Sequence, residues 1–355
     1  MPQPGVIFGG PSPEHDVSIL TGLQAARALG AVTAVYWAKT GDLFEVDPGL
    51  EGHDFLEGPP RKAPKLRLVA GEGLVGKRRA IDIDALVNCC HGGPGEDGTL
   101  QAALDLAGIA YTGPTVAGAA LGMDKLAFGA LVGSVGLPSL PRVAVTTATD
   151  SFPWDGPAIV KPRFGGSSIG IEVVEDAATA VALLRSSRHM RDGAVAEPYR
   201  SGVADLEVAA RSHPQLQLSA VARADKGASA IYGYAEKYVA GEGMVAAKRD
   251  FLDAGDPLAV RVREMATTVA ELALVRGVAR IDFLADGDEI YVNEINTIPG
   301  SLAKYLWRAE AQVAFDRLLG DMVDEARSRP SHHYTSAGAD GKALRSAGTI
   351  AGKLG

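Results

Sequence analysis

The sequence contains only two cysteines in 355 residues, Cys89 and Cys90, and they are adjacent. Neighbouring cysteines seldom bond to each other, so a disulfide framework is excluded as a source of stability. The chain also lacks the run of roughly 20 apolar residues that a membrane helix needs. Its first residues, MPQPGVIFGG, lack the basic start and long apolar stretch of a secretory signal. These absences predict a cytoplasmic protein with no membrane partner.

An excess of positive charge is missing as well. Lysine and arginine number 35 against 43 aspartates and glutamates, which gives a formal net charge of -8. Nonspecific nucleic-acid binding normally needs a basic face, so we expect no nucleic-acid partner. With 46% hydrophobic and 22% charged residues, the composition is that of a soluble globular protein. The length allows two or three domains.

The apolar pattern predicts an α/β protein. Strand-like segments at 5–8, 34–37 and 85–89 alternate with helical spacing at 18–29 and 99–107. Such alternation is typical of a parallel sheet with helices on its faces and ligands at the carboxyl ends of the strands. Two further units with strands and helices follow. We expect the following divisions: an N-terminal domain at 1–115, a central unit at 116–204, a C-terminal unit at 205–330 and a loosely held tail at 331–355.

The loop HGGPGEDG at 91–98 follows an apolar strand. A glycine cluster taken alone predicts no more than a turn. A turn does not need a histidine, a glutamate and an aspartate among four glycines, however. Its place at the carboxyl end of a strand therefore favours a binding loop.

The segment KPRFGGSSIG at 161–170 combines a lysine, glycines and two serines after a buried-type strand. Backbone N–H groups and hydroxyls in such a run can bind phosphate oxygens beside the ammonium group. A plain β-hairpin with a flexible tip is the alternative, because another strand follows. The two interpretations are compatible, since a hairpin tip can cover phosphates as a lid.

The segment ARIDFLADGDEIYVNEINTIPG at 279–300 predicts two strands joined by a turn at 286–288. Asp282 lies on the first strand, and Glu294 and Asn296 project to the same face of the second strand. Two carboxylates and an amide are hard oxygen ligands suited to Mg²⁺. A solvated polar face is the alternative. The flanking apolar residues argue against it, since buried carboxylates are costly unless they bind a cation.

Taken together, these motifs resemble the D-alanine–D-alanine ligases, a branch of the ATP-grasp superfamily. The resemblance spans about residues 5–325 and rests on the following segments in order: GGPSPEHDVS (9–18), HGGPGEDGTLQ (91–101), YTG (111–113), MDK (123–125), VKPRFGGSSIG (160–170), EKY (236–238) and RIDF with NEINTIPG (280–300). It implies an ATP-grasp α/β fold in which two α+β domains clasp ATP beside an N-terminal parallel-sheet domain. It also implies ATP-dependent joining of a carboxylate to an amine through an acyl phosphate, small amino acid substrates and a homodimer.

The resemblance also implies how ATP and metal are held. Lys125 and Lys161 would contact the phosphates, Ser167 and Ser168 would cover them, and Lys237 would approach the γ-phosphate. Glu197 would hold the adenine edge and Asp205 the ribose. Asp282, Glu294 and Asn296 match the ligands of two Mg²⁺ ions, for which Mn²⁺ is a possible substitute.

The resemblance also implies that Glu14 binds the ammonium group of the first substrate and that His91 lies near that substrate's carboxylate. Arg280 and the N–H of Gly300 match donors to the oxyanion of the tetrahedral intermediate. The set Glu14, Ser167 and Tyr238 would be hydrogen-bonded across three domains. Each member of this set, taken alone, could instead have a structural role: a glutamate near a helix start, a turn serine and a core tyrosine.

The sequence departs from the family after NTIPG, where it continues Ser-Leu-Ala-Lys-Tyr-Leu-Trp at 301–307. Tyr305 stands where the family has the serine that binds the carboxylate of the second amino acid. If the acceptor bears a carboxylate, Lys304 could supply an ammonium group and Tyr305 a hydrogen bond. The alternative is that both side chains point to solvent or to a dimer contact.

Three functions therefore remain open on the sequence alone. The first is a D-alanine–D-alanine ligase of cell-wall precursor synthesis. The second is a ligase of the same mechanism that uses a different acceptor amine in a specialised pathway. The third is an inactive nucleotide-binding regulatory homologue, which the presence of the lysines, metal ligands and Arg280 disfavours.

Overall fold

The computed structural model describes residues 3–224, 249–307, 313–331, 335–347 and 349–354. Its described strands form three sheets that follow one another along the chain. The helices are α1 His15–Leu29, α2 Gly93–Glu96, α3 Thr99–Ala107, α4 Val116–Met123, α5 Lys125–Ser134, α6 Ala177–Ser186, α7 Pro257–Leu272, α8 Phe315–Ser328, α9 Lys342–Arg345 and α10 Ile350–Leu354. No helix in these ranges is long and apolar enough to cross a membrane.

The first sheet has the strand order β5-β4-β3-β2-β1-β6. Its strands are β1 Gln3–Gly9, β2 Thr33–Trp37, β3 Leu43–Val46, β4 Lys65–Val69, β5 Gly73–Val75 and β6 Ile83–Asn88. The predicted parallel arrangement holds for β2, β1 and β6, whereas β3, β4 and β5 pair antiparallel. The links at 38–42 and 70–72 are too short for a crossover helix, so the strands they join must run antiparallel.

The second sheet is antiparallel throughout, in the order β7-β10-β8-β9. Its strands are β7 Val143–Val145, β8 Ala158–Pro162, β9 Glu172–Val174 and β10 Ala194–Pro198. The pairing of β8 with β9 confirms the predicted hairpin. Its tip, residues 163–171, is called the glycine loop below.

The third sheet carries the predicted 279–300 hairpin. Its strands are β11 Ala204–Arg211, β12 Gln217–Leu218, β13 Ala222–Ala224, β14 Arg249–Phe251, β15 Val278–Asp286 and β16 Glu289–Asn296. The antiparallel pairing of β15 with β16 confirms the hairpin. Residues 217–224 do not form one continuous strand but are split into β12 and β13. The split falls at Ser219, whose hydroxyl, rather than a backbone carbonyl, accepts the N–H of Ala209.

Helix caps position two functional segments. The Asp124 carboxylate accepts hydrogen bonds from the N–H groups of Leu126 and Ala127, which starts α5 and places Lys125 at its first position. Gly98 (φ 103°) precedes α3, and Gly108, in the left-handed conformation, ends it. Helix α3 therefore starts directly after the loop at 91–98.

Buried side chains connect the first and third sheets, whereas the second sheet has a core of its own. Helix α8 and the segment 300–307 pack into one core with the first sheet and with residues of β11, β13 and β15. Helices α5 and α7 pack on the third sheet, although the sequence had grouped 116–140 with the central unit. Helix α6 packs on the second sheet. In the tail, the described side chains of α9 and α10 are exposed.

Candidate active site

Two adjoining cavities lie where the loops of the three sheets meet. The first cavity is lined by Glu14, by the loop at 91–98, by the glycine loop and by the segment 294–300. The second cavity lies between β8 and β10 on one side and β11 and β15 on the other. Three side chains line both cavities: Glu207, Arg280 and Glu294.

Glu14 and Ser167 meet at the first cavity, as the sequence predicted. The Ser167 hydroxyl donates a hydrogen bond to the Glu14 carboxylate. Ser167 is held in a left-handed conformation (φ 52°), which is uncommon for a residue with a side chain. Tyr238, the third member of the expected set, and Lys237 lie outside the described residues.

His91 links three elements around the first cavity. Its Nδ1 donates to the carbonyl of Ile298 (2.7 Å), and its Nε2 lies 2.8 Å from the Thr21 hydroxyl, which therefore donates to it. Burial lowers the pKa of His91, so the ring is neutral. The Thr21 hydroxyl in turn accepts the N–H of Ser301 (3.1 Å). His91 thus connects α1 to the loop that carries Gly300.

Glu96 also holds the loop that carries Gly300. The sequence analysis assigned no separate role to Glu96. Its carboxylate accepts the N–H of Gly92 (3.0 Å) and the N–H of Ile298 (2.8 Å). Burial raises the pKa of Glu96 to about 7, and the nearby charge of Glu14 acts in the same direction. The only sequence signal for this residue was a glutamate among the glycines of 91–98.

The lysines predicted to bind phosphate occupy different cavities. Lys125 lines the first cavity, donates to the carbonyl of Gly165 and lies 3.7 Å from the Glu294 carboxylate. Lys161 lines the second cavity and donates to Glu197 Oε2 (2.8 Å). Ser168 and Asp205 also line the second cavity.

Glu197 is held between two cations. Besides Lys161, Arg142 pairs with it, with Arg142 Nε 2.8 Å from Glu197 Oε1. Burial alone would raise the pKa of Glu197, but Lys161 and Arg142 lower it overall. Sequence reasoning missed Arg142, because a single arginine just before a short strand carries no motif.

The metal-ligand candidates form part of a row of carboxylates across three strands. Glu207 on β11 lies directly opposite Asp282 on β15, which lies directly opposite Glu294 on β16. Asn296 Nδ2 donates to Asp282 Oδ2 (3.0 Å). Burial raises the pKa of Asp282 to about 6, although Arg280 opposes the shift. Sequence reasoning missed Glu207, whose only signal was a lone glutamate in an apolar strand.

Arg280 is the cation at the centre of this row. Its Nε and Nη2 donate to the two oxygens of Asp282 (2.6 and 2.7 Å), and its Nη1 donates to the Tyr305 hydroxyl (3.2 Å). Burial would lower its pKa, but the surrounding anions, Asp282 first, raise it well above the ordinary value. Gly300 lines the first cavity beside Arg280.

The segment 300–307 turns Tyr305 and Lys304 in different directions. Three successive residues, 301–303, have φ near +50°, each of which costs roughly 1–2 kcal/mol for a residue with a side chain. Tyr305 is buried and its hydroxyl reaches Arg280, so a solvent-facing Tyr305 is excluded. Lys304 instead donates to Gln24 Oε1 (2.7 Å) and lies over the Phe315 ring. The structure does not bring Lys304 to either cavity.

The arrangement of the second and third sheets defines the class of protein. Two α+β units face each other across the second cavity, with Lys161 on one side and the row of carboxylates on the other. This is the ATP-grasp fold of ATP-dependent ligases.

Comparison with known sequences specifies the family. The family model for the D-ala D-ala ligase N-terminus matches residues 3–114, and the model for the D-ala D-ala ligase C-terminus matches residues 145–324. The chain therefore belongs to the D-alanine–D-alanine ligase family, whose members are ATP-dependent ligases. A D-alanine–D-alanine ligase of Bradyrhizobium sp. (strain ORS 278) is 31% identical over 91% of this chain and 95% of that protein. One from Methylobacterium sp. (strain 4-46) is 33% identical over 91% of each.

Solved structures agree on the fold at lower identity. The D-alanine–D-alanine ligase of Coxiella burnetii superimposes with a TM-score of 0.75 at 22% identity, over 92% of this chain and 94% of that one. The VanG D-Ala:D-Ser ligase of Enterococcus faecalis also gives 0.75 at 22% identity, over 92% and 99%. The Bacillus anthracis ligase in complex with ATP gives 0.66 at 21% identity, over 92% and 97%.

Proposed function

We propose that this chain uses ATP and Mg²⁺ to activate a small amino acid, in the first instance D-alanine, as an acyl phosphate and then joins it to an amine. The observation that carries the proposal is the row of carboxylates around Arg280, which lies where the two cavities adjoin. A nucleotide in the second cavity and an amino acid in the first would bring their reacting groups to this row.

ATP is proposed to occupy the second cavity; a Bacillus anthracis D-alanine–D-alanine ligase of the same fold was solved in complex with ATP. Lys161 and Lys125 would bind its phosphates, and Ser167 and Ser168 of the glycine loop would cover them. Glu197 and Asp205 would hold the adenine and the ribose; Lys237, outside the described residues, would approach the γ-phosphate. Since Lys161 and Glu197 now pair with each other, ATP binding would have to share or open that contact.

The metal ligands are proposed to be Asp282, Glu294 and Asn296. Their oxygens are the hard donors that Mg²⁺ prefers, and phosphate and water would fill its remaining positions. Over the described part of the chain, no three His, Cys, Asp or Glu side chains form a ready metal cluster. Bound Mg²⁺ would neutralise phosphate charge during transfer; Mn²⁺ would be expected to substitute.

The reaction begins with the donor in the first cavity, its ammonium paired with Glu14. A carboxylate oxygen of the donor attacks the γ-phosphorus, and ADP leaves. The nitrogen lone pair of the acceptor then attacks the carbonyl carbon of the acyl phosphate. The C–O bond to phosphate breaks with its electron pair, inorganic phosphate leaves, and the nitrogen loses a proton. Arg280 and the N–H of Gly300 would stabilise the oxyanion formed on the way.

The identity of the acceptor amine distinguishes two candidate functions. D-alanine is the acceptor in the names of the Bradyrhizobium and Methylobacterium relatives. With this acceptor the chain would be a cell-wall precursor enzyme acting in the cytoplasm. A different amine is the second candidate, because the VanG ligase is named for a D-Ser acceptor and this chain has Tyr305, bonded to Arg280, at the position where the resemblance implies an acceptor-binding serine. The inactive homologue is disfavoured by the presence of Arg280 and the metal ligands. A homodimer remains a prediction.

Hydroxylamine trapping tests donor activation independently of the acceptor. The full chain is incubated with ATP, Mg²⁺, D-alanine and hydroxylamine, which converts an acyl phosphate into a hydroxamate. We expect hydroxamate and inorganic phosphate to form in equal amounts. Mass spectrometry of products with pooled amine acceptors then identifies the amide. Absence of hydroxamate with every amino acid donor would overturn the proposal.

A further inference from the structure

Arg142 is a buried cation behind the wall of the second cavity. It directly precedes β7, and the register that pairs Val143 with Ala196 brings it opposite Glu197 on β10. Arg142 contacts Glu197 and Asn293, which both line the second cavity, but is not itself among the described residues that line it. Its side chain is only 5% exposed. A buried charge is costly unless partners compensate for it, so the contacts of Arg142 indicate its role.

Two backbone carbonyls orient the guanidinium group of Arg142. Its Nη1 donates to the carbonyl of Lys125 (2.9 Å), and its Nη2 donates to the carbonyl of Asn293. With both of these donors engaged, Nε lies 2.8 Å from Glu197 Oε1. Lys125 starts α5, which packs on the third sheet, and Asn293 lies on β16 of that sheet. Arg142 therefore joins the third sheet to the Glu197 carboxylate of the second sheet.

Glu197 is held by cations from both neighbouring strands. Its Oε2 accepts a hydrogen bond from Lys161 on β8 (2.8 Å), and its Oε1 faces Arg142 beside β7. Strand β10 lies between β7 and β8, so the two cations reach the carboxylate from opposite sides. Two positive charges and one negative charge give this trio a net positive charge at the cavity where ATP is proposed to bind.

Lys161 has two expected partners, the Glu197 carboxylate and the phosphates of ATP. If Lys161 were the only cation beside Glu197, a shift of its ammonium group towards phosphate would leave a buried carboxylate without a counter-charge. An unpaired buried charge is costly, and the carboxylate would also repel the phosphates in a desolvated site. ATP would then have to compete with Glu197 for Lys161.

We propose that Arg142 is a positioning residue of the nucleotide site, which compensates the negative charge of Glu197 and thereby frees Lys161 to bind ATP phosphate. This inference rests on the proposed function only in placing ATP in the second cavity. Arg142 acts through Glu197 and Lys161 and does not need to touch the nucleotide. Its positive charge carries this role, so Arg142→Lys should retain part of it and Arg142→Met should not.

The test measures the Kd for ATP in the presence of Mg²⁺ by isothermal titration of the full chain without amino acids, so that no turnover is needed. We expect Arg142→Met to raise this Kd by about tenfold or more, and Arg142→Lys to raise it clearly less. Arg185→Met, on the exposed face of α6, is the matched control and should bind ATP as the wild type does. An unchanged Kd in Arg142→Met, or equal losses in the two variants of Arg142, would overturn the inference.

A double-mutant cycle with Glu197→Gln separates this role from a merely structural one. Glu197→Gln removes the charge that Arg142 compensates, so in that background Arg142→Met should raise the Kd for ATP by less than about threefold. If Arg142 served only to hold the carbonyls of Lys125 and Asn293, its loss would have the same effect in both backgrounds, and the inference would be overturned. The comparison within the Glu197→Gln background decides the question even if Arg142→Met alone does not fold.

The binding test and the hydroxylamine test fail separately. Normal hydroxamate formation, together with an unchanged Kd for ATP in Arg142→Met, would overturn this inference alone. The expected changes in Kd without any hydroxamate would overturn the proposed function and leave the role of Arg142 in place. A wild-type chain that does not bind ATP would overturn both.

Discussion

The Ser167 hydroxyl donates a hydrogen bond to the Glu14 carboxylate, and this contact closes the glycine loop of the second sheet over the end of the first sheet. A Cβ atom on the neighbouring Gly166 would lie 3.0 Å from Glu14 Oε2. Glycine at 166 therefore allows the loop to approach Glu14 this closely. In the proposed mechanism, donor binding would therefore depend on closure of this loop.

Removal of this hydrogen bond should weaken donor binding more than ATP binding. We expect Ser167→Ala and Glu14→Gln each to raise the KM for the donor, because the loop loses its contact and the ammonium loses its counter-charge. Loss of a hydrogen bond to a charged group costs about 1.5–3 kcal/mol. In a double-mutant cycle the two effects should be non-additive. Strictly additive effects on donor KM would contradict the coupling.

Arg280→Lys should lower kcat by about 10² to 10³, the scale found for loss of an oxyanion donor. A lysine cannot reproduce the planar set of donors that reaches both Asp282 and Tyr305. Steady-state kinetics with saturating donor measure the effect, and the KM for ATP should change little. A raised KM for ATP with unchanged kcat would assign Arg280 to nucleotide binding instead.

Asp282→Asn and Glu294→Gln should each abolish turnover in a protein that remains folded. Each change removes one of the charges that would hold Mg²⁺ against the phosphates. Isothermal titration and phosphate release across a range of Mg²⁺ concentrations provide the measurement. Asp288→Asn, in the exposed turn of the same hairpin, is the control. Either variant with near-normal activity at ordinary Mg²⁺ would refute the metal assignment.

Local patterns predicted the parts of the site that lie close together in the chain. Alternating apolar residues and the turn at 286–288 correctly predicted the β15–β16 hairpin, and with it the common location of Asp282 and Glu294. Helix α3 was predicted with its observed ends, because glycines flank a run of helical spacing. The 300–307 turn was not predictable, since three left-handed residues that are not glycine have no local signature.

Glu207 and Arg142 illustrate what local patterns leave out. Glu207 lies opposite Asp282, although 75 residues separate them in the sequence. This register depends on how β11 and β15 pair, which their own residues do not specify. Arg142 likewise meets Glu197 only once β7 and β10 are adjacent in the second sheet. Which charged residues meet in the site therefore depends on long-range strand pairing, which local motifs do not predict.

Glu96→Gln should flatten the pH dependence of stability in mildly acidic solution. Burial raises the pKa of Glu96 from its ordinary value of 4.5 to about 7, so a proton must be lost from a buried group as the pH rises. Its stabilising contribution is complete below the unfolded pKa and is lost as pH rises through the folded pKa. Relative to Glu96→Gln, the wild type should lose up to about 3 kcal/mol of unfolding free energy across this range. Urea unfolding at several pH values measures the difference, with Glu264→Gln as control; parallel curves would contradict the raised pKa.

Lys304→Met should affect stability and leave acceptor kinetics unchanged. The Lys304 ammonium joins the 300–307 segment to α1 through Gln24 and lies 5.0 Å from the centre of the Phe315 ring. Methionine keeps the apolar stem but loses the hydrogen bond and the cation–π contact, at a cost of about 1 kcal/mol or more. We therefore expect a lower unfolding midpoint, and Gln24→Ala should produce a similar, non-additive loss. A change in acceptor KM would instead assign Lys304 to the acceptor site, because a residue that only joins α1 to this segment has no reason to distinguish one acceptor from another.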